Sequence, residues 1–278
     1  MNYRNLLFSF TVFFILIAAK SDLPKEFTFK NFEKTLAKVQ PNLYASKYEV
    51  TNLQYISFLK ELKAKGMIQE YATAKLDTFN WAKIYKNKFV EIYHTNEAFE
   101  NYPVVNVSYQ GAKMFCEWMT KKYNEYPKRE FKKVKFRLPN EKEWIKAAKG
   151  GLKGVTYPWG SYCLQNKKAC YLANFYSKGD GAIHYDKEKK EYVVIKDAGC
   201  GYINDKSDVT VPVDMYSEND IGIYNISGNV KEMLQEPGKV KGGGWLSTGY
   251  DIRIDVIDTY EKPAVDIGFR YFVEIIEI

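Results

Sequence analysis

The sequence predicts an α+β domain with modest regular structure and long ordered loops, on three observations. Segments with apolar residues at helical spacing follow cap residues at Thr51, Ser108 and Asn140. Segments of strand character lie elsewhere, at residues 44–50, 131–138, 239–245 and 268–278. From Gly150 onward much of the chain is glycine-rich and reads as loop. Aromatic residues make up 16% of the chain, with 23 Tyr. That suits a dispersed core threaded by loops, because tyrosine buries its ring and keeps its hydroxyl bonded. No Pro/Gly/Ser linker, internal repeat or low-complexity tract divides the chain, so one domain is expected.

In chain order, Arg4 precedes an apolar run from Leu6 to Ala19, broken only by Ser9 and Thr11. The run is shorter than the ~20 residues that span a bilayer. A basic start, a short apolar stretch and Ala18-Ala19 read as a signal peptide over 1–19; an uncleaved anchor is the alternative. No Cys follows the run, so there is no lipoprotein signal, and export to a periplasm or cell envelope is expected. Residues 20–42 read as a polar N-terminal arm, with the domain over 43–278. Thr51 caps a helix carrying Tyr55, Phe58, Leu59 and Leu62, which Gly66 ends. Ser108 caps a second helix, with Ala112, Phe115, Cys116 and Met119 on one face. Cys116 is there a small buried hydrophobe rather than a nucleophile. Asn140 and Glu143 form a capping box for a third helix, with Trp144, Ala147 and Ala148 inward. Residues 184–195 read as an inserted hairpin with a charged tip.

The net charge is +7, but the lysines are dispersed. In the densest basic run, 128–137, Val134 and Phe136 alternate with Lys133, Lys135 and Arg137. That is a half-exposed strand rather than a nucleic-acid surface; a weak preference for anionic glycans or lipopolysaccharide stays open. Four cysteines in an exported chain can form disulfides. With Cys116 in a helix, at most one bridge is expected among Cys163, Cys170 and Cys200, and Cys163–Cys170 closes the shortest loop.

The chain is organised around residues 220–245. Asn225, Gly228, Val230 and Glu232 fall at offsets 0, 3, 5 and 7 about a Gly228-Asn229 turn. An Asn carbonyl, a Glu carboxylate and freed backbone carbonyls are hard oxygen donors suited to Ca²⁺. The plainer alternative, favoured by spacing alone, is a tight turn whose Asn and Glu bond their own backbone.

Here the chain resembles a family. Gly228-Asn229-Val230-x-Glu232, Gly242-Gly243-x-Trp245 and Gly268-Phe269-Arg270 resemble motifs of the formylglycine-generating enzyme superfamily. So do Tyr48-Glu49-Val50-Thr51-Asn52-x-x-Tyr55, Tyr102-Pro103-Val104-Val105-x-Val107-Ser108, Arg137-Leu138-Pro139-x-Glu141-x-Glu143-Trp144 and Tyr157-Pro158-Trp159-Gly160, in the family's order. The resemblance runs from about Leu43 to the C-terminus and implies an irregular variant of the C-type-lectin fold.

It also implies what to look for. The family's oxidases hold copper on two thiolates, whose positions map onto Ser247 and Ile252; neither supplies the soft ligand that Cu(I) needs. The motif's serine before Trp is Gly244. The related iron enzymes use clustered histidines, whereas this chain has only His94 and His184. No copper and no haem or non-haem iron is therefore expected. A Ser, His and Asp triad, which converges only in space, stays open. The family's calcium positions map onto Asn225, Gly228, Val230 and Glu232, and, for a second site, onto Asn174, Phe175, Asp205 and Ser207. The mapping of Asp205 crosses an expanded loop, and Lys206 replaces the glycine that follows it in the family. The stretch 66–101, with Asp77-Thr78-x-x-Trp81 and Tyr93-His94, is similar to the non-catalytic gliding-motility and secretion lipoproteins of the superfamily; a generic surface insertion is the alternative. The expected function is a non-catalytic exported binding or scaffolding domain of a secretion or motility complex at the cell envelope. The alternatives are an enzyme of altered chemistry and a glycan-binding module.

Overall fold

The computed structural model describes residues 27–85, 89–168, 170–176, 183–186, 188, 190–194 and 209–278. The signal-peptide, anchor and export expectations fall on residues outside this set. Among the described residues, no helix is long and apolar enough to cross a membrane.

The main sheet runs β1 (Leu36–Gln40), β2 (Leu43–Ser46), β10 (Phe272–Glu277), β3 (Lys133–Arg137), antiparallel throughout. In β3 the alternation read from sequence holds: Val134 and Phe136 are buried, and Lys133 and Lys135 face water. The C-terminal strand takes the middle of the sheet, which fits its buried Phe272, Val273 and Ile275.

One face of the sheet is covered by α1 (Asn52–Ala64) and α4 (Tyr109–Glu125). Thr51 caps α1 through a capping box with Gln54, and Ser108 caps α4 by accepting from Gly111 N. Tyr55, Phe58, Phe115 and Phe269 interlock edge-to-face and offset. Side chains pin α4 to β3. Thr120 Oγ1 accepts from Phe136 N at 2.9 Å, and Asn124 bonds both polar groups of the Val134 backbone. The opposite face packs Ala45, Leu43 and Phe272 against Trp144, Ala147 and Ala148 of α5 (Glu141–Lys149). The Asn140–Glu143 capping box is present.

A second sheet, β8 (Ile257–Thr259), β7 (Lys239–Lys241), β6 (Lys231–Met233), β9 (Ile267–Gly268), has one parallel pair, β6 with β9. β7 stops at Lys241, short of the run read to Trp245, because Gly242 and Gly243 take φ of 86° and 61°. The inserted hairpin is formed by β4 (Ile183–Asp186) and β5 (Glu191–Val194).

Three readings change. Residues 27–42 are not a loose arm. β1 pairs with β2, and Phe29, Phe32 and Leu36 are buried in the main core. Phe29 packs its ring on Phe32 and Tyr123. The polar appearance of the stretch hides these apolar anchors.

Nor is the stretch 66–101 a surface insertion, the alternative left open for it. It folds as α2 (Ile68–Ala74), a 3-10 turn, the short α3 (Ala82–Tyr85) and a second 3-10 turn. Trp81 and Tyr93 have no exposed surface and share a cluster with Val230 and Trp245. This segment therefore backs the Gly-Asn turn.

Cys163 and Cys170 are free thiols, and Cys200 lies outside the described residues. The reason is register. Gln165 pairs with Tyr171, and Asn166 N donates to Cys170 O, so Cys170 sits opposite Asn166 and away from Cys163.

Candidate functional site

Asn225, Gly228 and Asn229 all have positive φ, at 48°, 85° and 62°. Asn and Gly are the residues that tolerate this, and three within five positions make a sharply coiled turn. Gly228 is required by contact as well: a Cβ there would lie 2.5 Å from the Asn174 carbonyl oxygen. That same oxygen accepts from Asn229 N at 2.7 Å. The fold thus brings the Asn174 landmark, 55 positions from Asn229, directly onto the turn.

Asn229 is the hub. Its Oδ1 accepts from Val211 N at 2.9 Å. Its Nδ2 donates to Glu49 Oε1 at 2.9 Å and to Val211 O at 3.2 Å. Asn174 Nδ2 donates to Val209 O at 2.8 Å. Asn225 Nδ2 reaches Pro212 O at 3.3 Å and Glu49 Oε2 at 3.5 Å. Val230 is buried against Gly268. Phe175 is buried with Tyr157, Ala173 and Ile252. Asp205 and Ser207 lie outside the described residues, so only Asn174 and Phe175 of the second mapped calcium set are placed.

Glu232 is buried and fully engaged. Its Oε1 accepts from Arg270 Nε at 2.9 Å and Nη2 at 2.7 Å, and its Oε2 from Trp144 Nε1 at 2.8 Å. Arg270 completes its fork on Ser46 O at 3.0 Å and Tyr224 O at 2.8 Å. Both residues are at most 1% exposed. The turn's one carboxylate is thus the counter-charge of a buried arginine. Calcium at this turn would draw first on Asn225 and on the backbone oxygens of Gly228 and Val230. Those oxygen types suit the ion.

Sequence reasoning quoted Glu49 and Arg270 as motif letters without giving them roles, and read Asn229 only as part of the turn and Trp144 only as packing inward. Glu49 is 1% exposed. Desolvation pushes its carboxyl up to about 8. Arg270 opposes the shift, Glu232 adds to it, and the bond from Asn229 opposes it. Glu49 also lines a cavity of ≈300 Å³ whose walls include Phe32, Tyr48, Tyr271 and Asp214. The available signal was a carboxylate between Tyr48 and Val50, on the apolar approach to the Thr51 cap.

The two mapped copper positions are occupied by packing. Ser247 Oγ accepts from Gly244 N at 2.9 Å. Ile252 is fully buried, with Cγ2 2.7 Å from where a Gly243 Cβ would stand. A hydroxyl bonded to backbone and an aliphatic side chain wedged against glycine offer no soft ligand, so the residues do not fit copper. His94 is buried and bonded to Asn52, while His184 lies on β4. Among the described residues, no three His, Cys, Asp or Glu are grouped to hold a metal.

Two four-stranded sheets with helices on the main one, long ordered loops and a glycine-asparagine turn at the centre define an α+β protein of the formylglycine-generating-enzyme-like class. The chain belongs to the sulfatase-modifying factor enzyme 1-like domain family, which it matches over residues 25–275. It is 30% identical over 185 residues to the inactive C-alpha-formylglycine-generating enzyme 2 of Bos taurus, covering 61% of this chain and 49% of that one. It is 31% identical over 132 residues to the formylglycine-generating enzyme of Thermomonospora curvata, covering 48% and 32%. The matched region thus spans about half or less of these curated relatives. PvdO from Pseudomonas aeruginosa, a solved structure, superposes with a TM-score of 0.50 at 18% identity, covering 84% of this chain and 80% of that one. The likeness is one of fold.

Proposed function

We propose that this chain is a non-catalytic member of the family, exported to the bacterial cell envelope, where it binds or scaffolds other components of a secretion or motility complex. The observation that carries the reading is the packing of Ser247 and Ile252 where the oxidases of the family place thiolates. The similarity to an inactive relative supports it. Purified protein incubated with copper and a sulfatase-type cysteine peptide is expected to leave the cysteine unconverted by mass spectrometry. Copper-dependent formylglycine would overturn the reading.

A second reading, an enzyme of altered chemistry, is favoured by one observation: Glu49 is a carboxyl with a strongly raised pKa beside the ≈300 Å³ cavity. The carboxyl's partners are the amides of Asn225 and Asn229, which suit a structural role equally.

The Gly-Asn turn, in this proposal, holds Ca²⁺ as a structural ion. Support comes from the retention of Asn225, Gly228, Val230 and Glu232 and from the coiled backbone they share. An ion that binds the native state alone adds RT ln(1 + [L]/Kd), about 2.7 kcal/mol at a hundredfold excess over Kd. Chelation is therefore expected to lower the melting temperature by several degrees, and Ca²⁺ to restore it better than Mg²⁺. Asn225→Ala is expected to erase the response. Glu232→Ala is a poor probe, because it also strips Arg270 of its counter-charge. A melting curve that chelator leaves unmoved would return the turn to its plainer reading. Asn174→Ala weakens the response only where the second set, with Asp205 and Ser207, also binds.

A further inference from the structure

The two asparagines of the central turn are braced by one carboxyl. Glu49 Oε1 accepts from Asn229 Nδ2 at 2.9 Å, and Glu49 Oε2 accepts from Asn225 Nδ2 at 3.5 Å, the long limit of a hydrogen bond. Glu49 lies on the link between β2 and α1, 176 positions before Asn225, so the brace is made by the tertiary fold. Asn229 is committed on both sides of its amide, because its Oδ1 accepts from Val211 N at 2.9 Å. Asn225 is committed on one side only. Its Nδ2 also faces Pro212 O, at 3.3 Å. A backbone carbonyl oxygen only accepts, so this side of the amide is nitrogen and Oδ1 points the other way.

Nothing among the described residues donates to Asn225 Oδ1. The buried side-chain atoms left without a partner belong to Trp81, His94, Asn106, Ser227 and Tyr260. Asn225 Oδ1 is not one of them, so it keeps surface that a small ion or a water can reach. The Gly228 carbonyl, three positions on, likewise accepts no hydrogen bond from the described residues. Gly228 is buried, and a buried carbonyl is costly unless some partner meets it. Two hard oxygens on one coiled turn are therefore left over once the bonds among the described residues are made.

We propose that Glu49 is the positioning residue of the turn's cation site: by bridging the amides of Asn225 and Asn229 it aims Asn225 Oδ1 at the ion, acting through Asn225 rather than as a ligand. This rests on calcium occupying the turn and adds a residue outside the mapped ligand set. An amide turned the other way would present its NH₂ hydrogens to the cation, so orientation decides whether Asn225 is a ligand at all. Outer-shell partners that fix a ligand in this way typically change metal affinity about 10- to 100-fold when they are removed.

The test is a double-mutant cycle, read by calorimetric titration of Ca²⁺ into the chelator-treated full chain. Glu49→Gln keeps the shape and an acceptor for Asn229 Nδ2, but sets an NH₂ group against that of Asn225. It is expected to weaken Ca²⁺ binding about tenfold or more. In the Asn225→Asp background either side-chain oxygen is a ligand and no orientation is left to lose. Glu49→Gln is expected to cost less than about threefold there. An equal cost in the two backgrounds would show that Glu49 acts by charge or general support and would overturn the proposal, as would an unchanged affinity in Glu49→Gln alone. Should Asn225→Asp not fold, Glu49→Leu replaces it in the comparison. That variant removes the charge as Gln does but brings no opposed NH₂ group, so it is expected to weaken binding less than Glu49→Gln. An equal loss would point to charge, a greater loss to support, and either overturns the proposal. Failure of the calcium reading looks different: the wild type would show no saturable Ca²⁺ binding, or binding that Asn225→Ala leaves intact, and the role of Glu49 would fall with it.

Discussion

Arg270→Met is expected to destabilise the domain by about 3–5 kcal/mol, the cost of breaking a buried charge pair by removing one partner. The guanidinium is wholly buried and makes four hydrogen bonds, two to the Glu232 carboxylate and one each to Ser46 O and Tyr224 O. Methionine fills part of the volume but supplies none of the donors. Glu232 is then left with Trp144 Nε1 alone. For a domain of this size the melting temperature should fall by roughly 10 °C. The double variant Arg270→Met with Glu232→Met should recover part of the loss, because an apolar pair of similar volume often replaces a buried ion pair at little cost. Recovery would be incomplete, since Trp144 Nε1 and two backbone carbonyls stay unbonded. Chemical denaturation of the three variants measures the cycle. A loss under about 1 kcal/mol for the single variant would show that water screens the pair.

Glu49 is expected to make stability fall as pH rises from about 4.5 to about 8, against the rise that buried His94, held down to about 3, contributes up to about 6.5, and Glu49→Gln to remove the falling part. The sign comes from counting protons. Between the ordinary carboxylate value of 4.5 and the folded value of about 8, the native state holds a proton on Glu49 that the unfolded chain has released. The proton contributes fully below 4.5, is lost progressively across the window, and the effect levels off above 8. At about 1.4 kcal/mol per pH unit the change is of order 3–5 kcal/mol. Carboxyls held low by their partners, such as Glu143 with Arg137, act in the opposite sense and below this window. The glutamine amide of the variant keeps an acceptor for Asn229 Nδ2 and does not titrate. Denaturant midpoints of the two proteins at about pH 5 and about pH 8 decide the matter. Parallel pH profiles would mean that Glu49 ionises near its ordinary value.

What was legible in the sequence was local. Thr51, Ser108 and Asn140 announce helix starts because a cap acts within three residues, and all three caps form. The alternation in β3 is equally local. The polar hub was not legible as chemistry. Asn229 meets Glu49 across 180 positions, and Arg270 meets Ser46 O across 224. No spacing encodes such a meeting, so Glu49 and Arg270 appeared only as motif letters and Asn229 only as part of a turn. Glu232 shows the limit most clearly: its place on the turn was visible, but its partner was set by tertiary packing. The Cys163–Cys170 expectation failed because loop length is readable in sequence and strand register is not.

The place of β10 bears on how the chain folds. β2 ends at Ser46 and β3 begins at Lys133, and the two do not pair with each other; each pairs with a strand that begins at Phe272. Until β10 is available, β1 and β2 are a lone hairpin, a form only marginally stable in water, and β3 has a helix but no strand neighbour. The buried guanidinium of Arg270 lies on the same segment and supplies Glu232 with its charge partner. Folding of the main sheet therefore waits on the segment that carries Arg270 and β10. Such non-local closure is slow, and it leaves β2 and β3 as open edges that can recruit other chains while the protein is being made or moved.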